Sequence, residues 1–389
     1  MIKKNIYLMY AIAFLHGMVF YGPVATLYRQ AQGVSVFQIT VMESISLAVC
    51  LLLELPWGIA ADKIGYQRTM LICCILFFIS KIIFWRATGF LGFLCERILL
   101  SVVVSGLSGV DTSILYLSCK KENTQHVFGV YTSLETSGLL AASLLFSLLI
   151  QTNYRLAALL TVVSYGIAAL LSMFLVEVRS TKEYKKKYDQ REFFKILCDT
   201  AQNKKLLLFL VGVALLNETH QTITVFLNQL QFVKCNMTEA MIGFTYSAVT
   251  VAGLCSSLSS KITVKLGELR LVKLCYGTAF AACAAVAATS SAVVSIIGIL
   301  LLRITFSLFQ PLQTNLQNRQ VLSQNRATVL STFAVVINSI GVFTNVIFGA
   351  LANVNISLSL WAGACLCAAG YIVMAFWAKT TNHKFLQNQ

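Results

Sequence analysis

Charge is what this sequence has least of. Asp, Glu, Lys and Arg make up 12% of its 389 residues, with 15 acids against 30 bases, where a soluble domain carries about 25%. That shortage excludes an ordinary water-soluble globular fold, and the 57% apolar content and mean hydropathy of +0.76 point the same way. Proline is nearly absent: Pro23, Pro56 and Pro311 are the only three, each inside an apolar run. Strict apolar–polar alternation is missing, which argues against a membrane β-barrel. A chain in lipid must satisfy its backbone within helices or a closed barrel, so apolar runs of about twenty residues imply membrane-spanning helices. Three chemical signatures are missing as well. The 12 cysteines show no zinc-ligand framework, there is no nucleophile–His–acid constellation, and no G-x-x-x-x-G-K-[ST] loop is present. The expectation is therefore no enzyme, no metal and no cofactor, with cysteines such as Cys73, Cys74, Cys365 and Cys367 acting as small packing residues.

Twelve apolar runs are present, at 5–28, 36–60, 69–86, 91–118, 127–150, 154–177, 205–230, 238–260, 270–289, 293–317, 327–352 and 356–378. The first follows Lys3 and Lys4 and is too long for a signal-peptide core, so it is read as an uncleaved span. The polar stretch 178–204 divides the chain into an N-terminal bundle (1–177) and a C-terminal bundle (205–389) of six spans each. Within that stretch Phe193, Phe194 and Leu197 share one helical side amid charges, as in a helix lying at a membrane surface. With the N-terminus placed inside, 23 of the 30 basic residues fall on the cytoplasmic side. Four (Arg29, Arg86, Arg155 and Lys234) fall outside, and Lys81, Arg97 and Arg303 lie within spans. That asymmetry puts both termini in the cytoplasm and the protein in the plasma membrane. It also explains the +15 net charge as a topology signal, so no nucleic-acid partner is expected.

The two halves repeat. "GIAADKIGYQR" (58–68) and "SKITVKLGELR" (260–270) match at Lys63/Lys265, Gly65/Gly267 and Arg68/Arg270. The fourth and tenth spans carry Arg97 and Arg303 at equivalent places, each heading a polar stripe of helical period. Parallel halves of this kind are a transporter architecture.

The first of these loops resembles the signature G-x-x-x-D-R-x-G-R-R of the major facilitator superfamily. It reads Gly58, Asp62, Lys63 and Gly65, then Tyr66 and Gln67 in place of the later basic pair, with Arg68 next. Arg97 is similar to the Arg of that family's fourth-span motif. "LELPWGIAADKIG" and "SGVDTSILY" look like a bacterial, drug-exporter-like branch, although the fifth span lacks the G-x-x-x-G-P-x-x-G-G pattern of drug/proton antiporters. The resemblance covers the whole chain. It implies an all-α integral membrane fold of twelve transmembrane helices in two pseudo-symmetric six-helix bundles. It also implies a conformational switch at Gly58, Asp62, Lys63, Gly65 and Arg68, joined by Asp111 in a charge cluster, and a central cavity lined by spans 1, 4, 7 and 10.

Charged residues inside spans are costly and usually face an interior path. Of those present, Glu43, Glu218, Glu135 and His220 are the proton-coupling candidates, since such groups can gain and lose a proton. Glu54 is read as support for the loop, and Glu96 as facing a side different from that of Arg97. Arg97 and Arg303 do not carry protons; each binds an acidic substrate or, the preferred reading, neutralises an embedded carboxylate. Span 7 shows a polar stripe of Asn217, Gln221, Thr224 and Asn228. With His16, Phe20, Tyr21, Arg97, Arg303, Gln310 and Asn338, the residues Asn217 and Gln221 are the substrate-cavity candidates; interhelical hydrogen bonding is the alternative for each amide.

The expected activity is secondary active transport of a small organic solute by alternating access, as a monomer and with protons as the coupling ion. Multidrug-like efflux by antiport leads. Uptake of a sugar, nucleoside or organic anion is the rival, and a transporter-like sensor without flux is the reading from another class.

Overall fold

In a computed structural model the chain is described at residues 2–107, 110–119, 124–178, 190–320 and 326–381, with backbone only at 2–3, 54–55, 58–62, 124–125, 190–195, 326–328 and 380–381. Among these residues every regular element is helical. Twelve helical spans are long and apolar enough to cross a membrane: span 1 Lys4–Ala31, span 2 Val36–Leu53, span 3 Tyr66–Arg86, span 4 Gly89–Ser118, span 5 His126–Ile150, span 6 Tyr154–Ser172, span 7 Lys204–Lys234, span 8 Glu239–Leu266, span 9 Glu268–Ala288, span 10 Ala292–Arg319, span 11 Val329–Val354 and span 12 Ile356–Lys379. The expected fold class and span count are met. Span 6 is shorter than expected, ending at Ser172 rather than 177, and the helix of span 2 continues through the signature loop to Ile64. Between spans 6 and 7 a helix covers Gln190–Gln202. Asn153 and Asn203 cap spans 6 and 7 by accepting from the Leu156 and Leu206 N–H groups at 3.0 and 3.2 Å.

By contacts the chain forms two compact units. One is Met1–Lys185 with Thr238–Thr250, the other Lys186–Met237 with Val251–Gln389. The first half of span 8 thus groups with the first unit: the Ser247 and Ser143 hydroxyls lie 2.7 Å apart, and the Tyr154 hydroxyl donates to Glu239 at 3.2 Å.

Several spans are not continuous α-helices, and the breaks position the polar groups. Span 1 ends its first helix at Gly17 and resumes as a 3-10 turn, Gly22–Val24, and a short helix, Ala25–Ala31. Pro23 lies in the first positions of that 3-10 turn. Backbone groups freed in lipid must find other partners, and one face of span 6 supplies them. Thr161 accepts from the Phe20 N–H at 3.0 Å, Ser164 donates to the Leu15 carbonyl at 2.9 Å, and the Tyr165 hydroxyl donates to the His16 carbonyl at 2.6 Å. Tyr165→Phe is expected to strand that carbonyl and cost about 1–3 kcal/mol, read as a lower midpoint of thermal unfolding in detergent. Pro56 and Pro311 lie inside continuous helices. Span 7 contains a π-helical stretch, Thr222–Leu227, and span 5 ends in another, Phe146–Ile150.

The internal repeat is visible in the backbone. Gly65 and Gly267 have φ of 98° and 83° with ψ of 149° and 151°, and each immediately precedes a helix, span 3 or span 9. That conformation is essentially confined to glycine, so the matching glycines of the two loops have one physical cause. The loops differ in their neighbours: the Glu177 carboxylate accepts from the Tyr66 N–H at 3.1 Å, where it also favours the positive end of the helix dipole.

Candidate functional site

The break in span 1 leaves His16 next to the last residue of the first helix, and its ring is held between two others. It stacks on Tyr165 with centroids 5.0 Å apart and meets Phe77 of span 3 at 5.1 Å. His16 Nε2 is buried without a hydrogen-bond partner. These rings form one wall of a cavity of about 350 Å³ inside the first unit. Asp111 of span 4 and Tyr131 and Glu135 of span 5 supply the rest of the polar lining, with Ala13, Val104 and Leu107 completing it. Tyr131 and Glu135 are one turn apart and so share a face. The Tyr131 hydroxyl points at Asp111 Oδ2 from 3.5 Å, long for a hydrogen bond, and Asp111 Oδ1 accepts from the Thr112 N–H at 2.6 Å. Asp111 is half-buried, and Glu135 is exposed at the cavity.

The expected charge cluster at the signature loop lies partly outside the described residues, which leave out the side chain of Asp62. Asp111 sits at the cavity, and among the described residues it is not ion-paired with Lys63 or Arg68, both of which are exposed. The side chains of Gly58, Asp62 and Glu54 lie outside the described residues. The described carboxylate at the loop is Glu177, which the sequence reading did not single out.

A second group of charges lies deeper in the same unit. Glu43 of span 2 is ion-paired with Arg97 of span 4, the contact that the neutralising role requires. Glu96 is 1% exposed and lies 3.8 Å from Lys81 and 4.0 Å from Arg29. Lys81 donates to the Tyr21 hydroxyl at 3.0 Å, and its ammonium lies over the Phe77 and Tyr165 rings at 5.0 and 5.3 Å. Arg29, read as an outer loop charge, is 5% exposed and packs over Phe84. Phe20 and Tyr21 are buried at 6% and 7%, with Tyr21 stacked on Phe84 at 3.9 Å. Neither lines the cavity.

In the second unit the π-helical stretch of span 7 interrupts the expected stripe. One inserted residue rotates a helix by about 100°. Asn217 is half-buried and Gln221 exposed, whereas Thr224 and Asn228 are buried. Asn217 Oδ1 is buried without a partner. The Glu218 carboxyl packs against Gly341 of span 11, where a Cβ would lie 2.6 Å from it. His220 stacks on Phe306 of span 10 at 3.8 Å and 5°, with Nε2 3.2 Å from the Thr224 hydroxyl. Arg303 lies against Gly253, in a 3-10 stretch of span 8. Gln310 is exposed and Asn338 half-buried.

The sequence reading missed Phe77, Tyr131 and Tyr165 as wall residues. Tyr131 was findable, one turn before Glu135 on the same helix. Phe77, one turn before Lys81, and Tyr165, one turn after Thr161, read in sequence as packing aromatics. Among the described residues no three His, Cys, Asp or Glu converge to hold a metal.

The profile of the Major Facilitator Superfamily matches residues 6–344. No curated protein matches the chain in sequence. Among solved structures, a mutant of the nucleoside transporter NupG superposes with a TM-score of 0.82 at 14% identity, covering 95% of this chain and 99% of that one. A D-xylose–proton symporter gives 0.71 at 15% identity over 96% and 97% of the two chains. A bacterial homolog of the human lysosomal transporter Spinster, inward-facing and occupied, gives 0.71 at 15% over 99% and 97%. At such identities these likenesses speak to the fold.

Proposed function

We propose, from the premise that this chain belongs to the Major Facilitator Superfamily of small-solute transporters, that it is a proton-coupled permease for a small ring-bearing polar solute. The observation that carries this reading is the cavity of about 350 Å³ lined by the carboxylates of Asp111 and Glu135, the phenol of Tyr131 and the rings of His16, Phe77 and Tyr165. Ligand pockets start at about that size and set a few polar groups into an apolar surround. Glu135 and Asp111 are the proton-coupling residues of the first unit, and Glu218, with His220 beside it, is the candidate of the second. Glu43 is occupied by Arg97 and couples protons only if that pair opens. The bundles 1–177 and 205–389 alternate access, joined by 178–204, with both termini on the cytoplasmic side of the plasma membrane and the protein working as a monomer.

Uptake is favoured over drug efflux. Two solved structures of matching fold are described as a nucleoside transporter and a D-xylose–proton symporter, and the fifth span has no antiporter pattern. The test is flux in proteoliposomes. An imposed inward proton gradient is expected to accumulate labelled nucleosides or pentoses, and Glu135→Gln to abolish accumulation while leaving downhill exchange. Accumulation driven by the opposite gradient would establish efflux. Binding with no flux in either direction would establish a sensor.

A further inference from the structure

The lining of the first-unit cavity is one-sided in its hydrogen-bonding chemistry. Asp111 and Glu135 present carboxylates, which in the ionised form only accept. The Tyr165 hydroxyl spends its hydrogen on the His16 carbonyl, and the Tyr131 hydroxyl is aimed at Asp111. His16 Nε2 is buried there with no protein partner, so a polar atom of something else has to meet it. Among the described residues no Lys or Arg lines the cavity. Lys81 is 4% exposed, held by Tyr21 and Glu96, and contacts the same Phe77 and Tyr165 rings without being part of the lining.

An anionic solute would find acceptors facing it and almost no donors, with its charge left uncompensated. A neutral polyol can donate its hydroxyls to these carboxylates but supplies no counter-charge to them. A solute rich in donors and positively charged would satisfy both carboxylates and lie against aromatic faces. We propose that this cavity binds an organic cation built on a planar ring, an amidinium or aminated heteroaromatic, with Asp111 and Glu135 as counter-charges and Phe77, Tyr165 and His16 as the stacking wall. Carriage of that cation rests on the transport reading above; its binding does not.

Benzamidine, benzamide and benzoate are planar rings of similar size that are cationic, neutral and anionic at neutral pH, and so isolate charge from shape. Titrated into the purified full chain and followed by thermal shift and calorimetry, benzamidine is expected to bind at least about tenfold more tightly than benzamide, with benzoate silent. Glu135→Gln and Asp111→Asn, each checked for an unchanged unfolding midpoint without ligand, are expected to erase the preference for the cation. Glu135 is the safer variant because it is exposed. Equal binding of benzamidine and benzamide, binding of benzoate, binding of none of the three, or a preference that survives both variants would overturn the proposal. The two readings fail separately. Nucleoside or pentose flux that benzamidine does not inhibit leaves the permease standing and removes the cation site. Asp111-dependent benzamidine binding in a protein that carries nothing does the reverse.

Discussion

Glu96→Gln is expected to be among the most destabilising single substitutions in this protein. The carboxylate is 1% exposed and is the counter-charge to both Arg29 at 4.0 Å and Lys81 at 3.8 Å, themselves 5% and 4% exposed. The amide keeps the shape and removes the charge, leaving two cations buried together. Removing one partner of a buried ion pair costs about 3–5 kcal/mol, because the remaining charge stays desolvated. The measurement is the unfolding midpoint and the monodisperse yield in detergent. Adding Lys81→Met to Glu96→Gln is expected to recover part of the loss, since one stranded cation is then gone. A double-mutant cycle reads that coupling directly. A Glu96→Gln protein as stable as the parent would mean that the triad contributes no net electrostatic stabilisation.

Gly17→Ala and Gly138→Ala are expected to be the next most damaging. Spans 1 and 5 cross so closely that a Cβ on Gly17 would overlap the carbonyl oxygen of Glu135, and one on Gly138 the carbonyl oxygen of Phe14. Both obstacles are backbone, which cannot rotate aside as a side chain does. Overpacking of this kind costs about 1–3 kcal/mol, and relieving it means moving span 5, which carries Tyr131 and Glu135. The expected result is therefore a lower unfolding midpoint together with weakened benzamidine binding. Gly129→Ala is the control on the same span: nothing lies within 4 Å of its Cβ, and alanine is the better helix former by up to about 1 kcal/mol. A Gly129→Ala protein as impaired as Gly138→Ala would point to a general need for flexibility in span 5 and away from the crossing.

What was legible in the sequence came from local properties. Span number follows from the length of apolar runs, because lipid demands a fully paired backbone over a fixed thickness. The glycines at 65 and 267 were legible as a repeat, and the structure gives them one shared backbone conformation. The broken stripe of span 7 shows where periodicity stops being enough. It assumes 3.6 residues per turn, and a π-helical stretch at Thr222–Leu227 rotates everything beyond it. The burial of Arg29 was illegible for a related reason: span 1 breaks and restarts as a second short helix that includes this charge.

By itself, then, the sequence determined the environment and the class: an all-helical chain of twelve spans, built as a repeat, with a small set of charges too costly to be incidental. Only the tertiary structure decided what those charges do. A carboxylate in a span reads the same whether it meets a solute, a proton or a neighbouring Arg, and the choice depends on which helix faces which. Glu43 found Arg97 and Glu96 found Arg29 and Lys81, so both are held by protein cations. Asp111 and Glu135, among the described embedded acids of the first unit, line a cavity with aromatic rings and have no protein cation paired with them.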